Sequence, residues 1–112
     1  MKKNGLHIDS HGNKYWYKDN KLHREDRPAV VWVTGVQCWY KEGKRHREDG
    51  PAVIWPDGTE YWYKEGEWHR DAGPALIRPD GSQEWWKEGK EYEPTAHEIM
   101  AWKMNEKERT TC

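Results

Sequence analysis

The sequence repeats itself every 23 residues, and four windows superimpose without gaps. We call these windows units one to four. Each unit carries tryptophan, glycine and lysine at fixed positions, and proline follows in three of them. The recurring residues are Trp16, Trp39, Trp62 and Trp85; Gly12, Gly35, Gly58 and Gly81; Lys18, Lys41, Lys64 and Lys87; and Pro28, Pro51 and Pro74. A fixed period of about 20–50 residues is typical of stacked repeat architectures. The repeat therefore predicts one extended surface, and a protein of this kind does not require a catalytic pocket.

Each unit has the composition of two short antiparallel strands. In unit three, Pro56-Asp57-Gly58 has turn chemistry, because proline fixes φ and glycine accepts a positive φ. The aromatic run at residues 61–63 favours a strand, and Glu65-Gly66 ends it. Gly73-Pro74 forms a bend, and the apolar residues 75–77 form the second strand. The predicted fold class is mainly β, a repeat antiparallel β-hairpin meander with a C-terminal capping helix.

We predict a single domain over residues 1–112. Hairpin repeats occupy residues 5–94, as half a unit followed by about three and a half units, and a helix follows at 95–108. Thr95 and Glu98 have the spacing of a capping box at the start of that helix. Because the ends of a repeat stack must differ from its internal units, we expect the Ile99–Trp102 face of the helix to cover the last unit.

Alternation along the strands divides the recurring side chains between two faces. Side chains that are identical between units are most simply the stacking surface, so we place two columns in the core. One is the tryptophan column, and the other is the apolar column of the second strand. That second column is Leu6 and Ile8, Ala29 and Val31, Ala52 and Ile54, and Ala75 and Ile77. Val30, Val53 and Leu76 lie on the opposite face, outside this predicted core.

Charge and composition exclude several classes of protein. The net charge is -1 although 35% of the residues are charged, which argues against a simple polyanion binder and against an acidic nucleic-acid mimic. Charged residues of one sign can still be concentrated on one face of the fold, so local binding of a charged partner is not excluded. No apolar run approaches the ~18 residues that span a membrane, so no membrane partner is expected. Cys38 and Cys112 are too few for a disulfide framework, and a reduced, cytoplasmic chain is predicted.

The chemistry-bearing residues recur without converging. His23, His46 and His69 keep the 23-residue step, but equivalent residues of stacked hairpins stand roughly 10 Å apart. Zinc needs about four ligands around one ion, so we expect these histidines to bond the backbone at the bends. The acidic pairs Glu25-Asp26 and Glu48-Asp49 lie beside these histidines in equivalent surroundings, which argues against a specialised catalytic carboxylate. We therefore predict no catalytic residue, no metal, no cofactor and no enzymatic activity.

Candidate partner-binding residues lie where the units differ, because stacking does not require those positions. One variable column contains four residues with no shared chemistry. They are Leu22, Arg45, Trp68 and Glu91. A second candidate patch combines Trp32, Trp55 and Arg78. Tryptophan and arginine are enriched at interface hot spots. The alternative for Trp32 and Trp55 is a second half-core beneath the helix or a loop.

Residues 39–52 read Trp-Tyr-Lys-Glu-Gly-Lys-Arg-His-Arg-Glu-Asp-Gly-Pro-Ala. This string, with Pro79-Asp80-Gly81 and its equivalents, resembles the MORN-repeat variants of phage, giant-virus and antitoxin-like proteins. The resemblance covers residues 5–94. It implies an elongated, twisted single-layer sheet of hairpins that scaffolds protein contacts. Unit one departs from the pattern, since Arg27 and Asn20 stand where other units have glycine.

The resulting hypothesis is a non-enzymatic protein-binding repeat module. It would act as a phage-type inhibitor that binds and blocks a host defence protein or nuclease complex in the host cytoplasm. The alternative is nucleotide or single-stranded nucleic-acid binding through Trp55, Trp68, Arg45 and Arg78, which the near-neutral charge disfavours. A monomer and an edge-to-edge homodimer through the exposed first strand both remain open.

Overall fold

The computed structural model describes residues 2–110, with side chains as far as Asn105, so Cys112 lies outside the described residues. In this part of the chain, fifteen short strands precede one helix. The elements are β1 (Gly5–Ile8), β2 (Lys14–Lys18), β3 (Lys21–Leu22), β4 (Val30–Val31), β5 (Gln37–Cys38), β6 (Tyr40–Lys41), β7 (Lys44–Arg45), β8 (Val53–Ile54), β9 (Glu60–Tyr61), β10 (Tyr63–Lys64), β11 (Glu67–Trp68), β12 (Leu76–Ile77), β13 (Gln83–Glu84), β14 (Trp86–Lys87), β15 (Lys90–Glu91) and α1 (Ala96–Thr110).

An antiparallel meander runs the length of the molecule. Its strand order is β1-β2-β4-β5-β8-β9-β12-β13, and we call it the main row. The register places Val30 opposite both Tyr15 and Cys38, and Val53 opposite both Cys38 and Tyr61. The same side chains therefore face one another from unit to unit. The molecule is elongated along this stack, at 52 × 26 × 24 Å. The fold is mainly β, as predicted.

A second row of strands lies beside the first, and the sequence did not predict it. Each unit adds a small hairpin, and the pairs are β2–β3, β6–β7, β10–β11 and β14–β15. Neighbouring hairpins are bonded through Gly43 N to Leu22 O (2.8 Å) and Arg24 N to Tyr40 O (3.3 Å). Equivalent bonds recur between the later hairpins. We call these hairpins the side row.

The recurring tryptophan joins the two rows. The expected single first strand is continuous only in β2, and in later units it is interrupted at the tryptophan. Trp39 N donates to Ala52 O in the main row (2.6 Å), whereas Trp39 O accepts from His46 N in the side row (3.1 Å). One residue thus serves two directions of pairing. Trp16 makes the same two bonds, at 2.7 and 3.0 Å, but it also pairs with Leu6 of β1, and β2 is continuous there.

The tryptophan face is packed as predicted, with arginines as its cover. Ala29, Ala52 and Ala75 are fully buried, Trp39 and Trp85 are buried, and Trp16 and Trp62 are half-buried. Three guanidinium groups lie over the tryptophan rings. The pairs are Arg24 on Trp16 (3.8 Å), Arg47 on Trp39 (3.9 Å) and Arg70 on Trp62 (3.7 Å). Such cation–π contacts allow charged bends to cover an apolar column.

The helix replaces that cover in unit four. The ring of buried Trp102 meets Trp85 edge-on at 6.1 Å, and Tyr92 does so at 6.2 Å. The predicted capping box is present, because Glu98 N donates to Thr95 Oγ1 (3.1 Å) and Thr95 N donates to Glu98 Oε1 (2.9 Å). The helix begins at Ala96 and extends two residues past the predicted end at 108.

The opposite face holds a second core, which corrects the predicted arrangement. Buried Val30, Val36, Cys38 and Val53 form one cluster, and half-buried residues of both rows pack against it. These are Tyr15, Leu22, Tyr40, Tyr61 and Tyr63. Alternation in one flat sheet predicted a single covered face, but the side row brings its own tyrosines onto the valines. In contrast, Leu6 and Ile8 are exposed, because no preceding unit covers them.

Candidate functional site

The repeated histidines join consecutive units. The Nδ1 atoms of His23, His46 and His69 accept the backbone N–H of Glu42, Glu65 and Glu88, each at 3.0 Å. Each of these glutamates adopts a φ of 50° at the tip of the next hairpin. The Nε2 atom therefore carries the ring proton and faces a carboxylate of its own bend. The histidines bond backbone as predicted, but that of the following unit.

Those carboxylates are held in their charged form. A hydrogen bond from histidine lowers the pKa of Glu25, Glu48 and Asp71, and nearby lysines lower it further. The His–carboxylate distances are 2.7, 2.6 and 2.6 Å. At Asp9, desolvation raises the pKa, but hydrogen bonds from Asn13, Tyr15 and His11 outweigh it and bring the pKa to about 2.

We expect stability to fall as the pH drops from 5 to 2. Each group has a lower pKa in the folded state than in the unfolded state, so its contribution is complete above the unfolded value. It is lost as the pH falls through the folded value. Urea unfolding at several pH values, followed by tryptophan fluorescence, measures this loss. The triple variant Glu25→Gln/Glu48→Gln/Asp71→Asn should show a shallower pH dependence. A urea midpoint that is constant over this range contradicts the expectation.

The first candidate column is largely absorbed into packing. Half-buried Trp68 contacts the rings of Tyr61 (5.2 Å), Tyr63 (4.9 Å) and Trp86 (5.8 Å). Arg45 is exposed, and its guanidinium lies 5.4 Å from the centre of the Tyr63 ring. The premise that packing makes no use of this column is therefore wrong at Trp68. We call the side-row residues Tyr40, Arg45, Tyr63, Trp68 and Trp86 the aromatic ladder.

The two ends of the same column differ. Leu22 is half-buried and packs against the valine cluster, so its surface is mostly used within the fold. Glu91 is exposed in β15, opposite Trp86. Of the four residues in this column, Arg45 and Glu91 thus offer the most side chain to a partner.

The second candidate patch lies on a row of stacked turns. These are the turns at residues 9–13, 32–36, 55–59 and 78–82, each closed by a glycine N–H to the carbonyl three residues earlier (2.8–3.1 Å). We call them the turn edge. Trp32 is 39% exposed and Trp55 is 42% exposed. The half-core alternative is therefore wrong for these two residues, although the Trp32 ring also contacts Tyr15 at 5.9 Å.

Two apolar residues of the turn edge were missed from sequence. Val33 is 63% exposed, and Pro56 lies so close to Gly35 that a Cβ there would stand 2.8 Å from the proline Cγ. The signal was the replacement of Pro-Asp by Val33-Thr34 in unit two, which leaves this turn without a charge. Trp32, Val33 and Trp55 thus form an apolar strip across two stacked turns.

Arg78 is the equivalent in unit four of Trp32 and Trp55. Its side chain is bonded within the fold. Its guanidinium forms an ion pair with Glu84 and bonds Ser82 Oγ at 3.3 Å. Glu84 also accepts the indole N–H of Trp86 at 3.0 Å. These bonds, that from Arg78 first, lower the pKa of Glu84. The sequence grouped Arg78 with two tryptophans, whereas the structure gives it an acidic partner.

The bends enclose two equivalent slots on the tryptophan face. One has a volume of about 340 Å³ and lies between Arg24 and Arg47. The other, of about 310 Å³, lies between Arg47 and Arg70 beside Trp102. Charges of both signs line each slot, so neither selects a cation or an anion.

In the described part of the chain, no three His, Cys, Asp or Glu side chains converge as a metal site requires. Cys38 is a free, buried thiol whose pKa is raised by burial. Among residues 2–110, no helix is long and apolar enough to span a membrane.

Comparison of the chain with protein-family models, with curated proteins and with solved structures finds no match. Function is therefore inferred from the geometry of the surface.

Proposed function

We propose that this protein is a non-enzymatic repeat module that binds another protein through its turn edge. The observation that carries the proposal is the apolar strip of Trp32, Val33 and Trp55, exposed on rigidly stacked turns. Val33 N is fixed by Asn13 Oδ1 of the preceding turn at 2.8 Å. A large apolar patch on a fixed backbone suits protein recognition, because few side chains need to be ordered on binding.

The aromatic ladder offers a second set of aromatic and charged groups to a partner. Trp68 and Tyr63 present partly exposed rings, and Arg45 stands beside them with a charge. Aromatic and arginine residues are those most often found at the centres of protein interfaces. We propose that Arg45, Trp68 and Glu91 flank the contact, with Leu22 supporting the ladder from beneath.

The resemblance of residues 39–52 to phage-type MORN-repeat variants supports a role as an inhibitor. Such a module would block a host defence protein or nuclease complex by occupying its surface, in the host cytoplasm. This mechanism needs no reaction centre. The protein would act stoichiometrically, one molecule for each blocked surface.

Single-stranded nucleic acid is the second candidate, because exposed indoles can stack on bases. Its electrostatic requirement is poorly met. Of the two arginines that would contact phosphates, Arg78 is paired with Glu84, and Arg45 interacts with Tyr40 and Tyr63. Phosphate contacts supply most of the affinity in such complexes. We therefore favour a protein partner.

The test is affinity capture from a bacterial host lysate with mass spectrometry, followed by reconstitution from purified components. The variant Val33→Asp/Trp55→Ala should lose the complex while keeping its far-UV circular dichroism spectrum. The control Met100→Ala/Met104→Ala removes apolar groups that are more exposed than Trp55 and lie on the helix, and it should keep the complex. Failure to reconstitute any stable complex contradicts the proposal.

A further inference from the structure

Charge segregates between the two long edges of the molecule. The turn edge and the hairpin tips lie at opposite ends of the first strand of each unit. The hairpin tips, at residues 18–21, 41–44, 64–67 and 87–90, carry seven lysines and five acidic residues. The turn edge carries three aspartates and one arginine. Because that arginine, Arg78, is already paired with Glu84, the turn edge is acidic and the opposite edge is basic.

The aspartates of the turn edge are charged and partly available. Asp57 Oδ1 accepts from Thr59 N (2.9 Å) and Thr59 Oγ1 (2.7 Å), and Asp80 Oδ1 accepts from Ser82 N (2.8 Å). These bonds lower the pKa of both carboxyl groups. The Oδ2 atoms of Asp57 and Asp80 accept no hydrogen bond from the described residues, and both side chains are exposed. Asp9 contributes charge only, because both of its oxygens are bonded within its own turn or to Tyr15.

The acidic groups stand around the apolar strip. Asp57 is in the same turn as Trp55, and Asp80 is in the next turn along the stack. A partner that covers Trp32, Val33 and Trp55 must also come close to these carboxylates. An acidic partner would be repelled, and a purely apolar partner would leave the carboxylates desolvated without a counter-charge.

The exposed indoles also suit a cationic partner. The tryptophans of the other face already hold guanidinium groups 3.7–3.9 Å above their rings, which shows the geometry that an open indole offers. Trp55 has no ring or cation contact of this kind among the described residues. An arginine or lysine arriving from outside could therefore stack on it while its charge faces Asp57.

Building on the proposed function, we propose that the partner surface seated on the turn edge is a basic protein surface. Its arginine or lysine side chains would stack on Trp32 and Trp55 and pair with Asp57 and Asp80. Its apolar groups would cover Val33. The surfaces with which nucleases and other nucleic-acid enzymes hold phosphates have this chemistry. The module would thus compete with nucleic acid for such a surface without imitating a duplex along its whole length.

The test uses the full chain and a fluorescein-labelled synthetic peptide of alternating arginine and leucine. A matched peptide carries glutamate in place of each arginine. Fluorescence anisotropy gives the Kd for both peptides, at low and at physiological salt. The variant Trp55→Arg is well suited to the test, because Arg78 already occupies the equivalent position in unit four and the fold accommodates it. A second variant, Asp57→Asn/Asp80→Asn, removes charge but keeps the turn hydrogen bonds. The control Glu42→Gln/Glu65→Gln removes two charges from the hairpin tips.

The arginine peptide should bind the unmodified chain and the hairpin-tip control alike, and the glutamate peptide should not bind. Trp55→Arg should weaken binding of the arginine peptide by about tenfold or more, since a stacking surface is lost and a like charge is added. Equal binding of both peptides overturns the proposal, as does an equal loss in the hairpin-tip control. Tighter binding of a single-stranded oligonucleotide, or self-association through the strip in sedimentation, also overturns it. If a captured protein binds the strip while the arginine peptide does not, the proposed function stands and this inference falls.

Discussion

Replacing Trp39 with alanine is expected to lower the free energy of unfolding by about 3–5 kcal/mol, as for other buried tryptophans. The side chain is 8% exposed and carries the guanidinium of Arg47 at 3.9 Å. It lies where the main row and the side row meet, so its loss leaves a cavity that both rows border. Folded domains have only about 5–15 kcal/mol of stability in total. Urea denaturation followed by far-UV circular dichroism measures the change.

The variant Trp55→Ala provides the matched control. It removes the same atoms from the turn edge, where less apolar surface is buried because Trp55 is 42% exposed, and the loss of unfolding free energy should be clearly smaller. Because unit two lies inside the stack, Trp39→Ala should also increase amide hydrogen exchange in units on both sides. An equal loss of unfolding free energy in the two variants would show that the tryptophan column is not the main contributor to the core.

Replacing Trp102 with alanine is expected to cost about as much, again about 3–5 kcal/mol. Trp102 is 8% exposed, and its ring packs on Trp85 at 6.1 Å. It also fills the space beside Gly73, where an added Cβ would stand 2.9 Å from the indole. Without it, the last tryptophan of the column would face water. Thermal unfolding and hydrogen exchange measure the effect.

Replacing Trp102 should destabilise the repeat stack mainly at its C-terminal end. Terminal units of a repeat stack are held by one neighbour instead of two, so exchange should rise most in unit four and least in unit one. Met100→Ala, on the exposed side of the same helix, should leave both stability and exchange nearly unchanged. A uniform rise in exchange along the chain would contradict a capping role for this helix.

The sequence predicted the features that depend on local chemistry. The turns after Pro79 and after Pro56, the buried alanine column and the capping box at Thr95 are all confirmed, because each is set by a few neighbouring residues. The positions of the main-row strands followed from the same punctuation. In unit one, where Arg27 replaces glycine, Asp26 adopts a φ of 61°. This bend therefore differs from the later ones, as the departure from the pattern suggested.

The features that were missed depend on contacts between units. Alternation along one strand cannot show that the strand divides at Trp39, because the division depends on which neighbour accepts each backbone group. For the same reason, Val30 and Val53 were predicted to lie outside the core, although both are buried in the second core. The exposure of the candidate residues was predicted in part. Trp32 and Trp55 are exposed as proposed, whereas Trp68 is shared with the fold and Val33 was overlooked.

The bonds between units have a consequence for how such a molecule can change in length. Successive tryptophan N–H groups donate to the alanine carbonyl of the next bend at 2.6–2.7 Å, and successive histidines accept the next hairpin tip at 3.0 Å. A tandem duplication of 23 residues inside the gene would therefore present matching donors and acceptors at both of its new boundaries. Each such duplication would lengthen the rod by about 10 Å, the width of two paired strands. The length of the molecule can thus change in steps of one unit, by duplication for a longer target and by deletion of a unit for a shorter one.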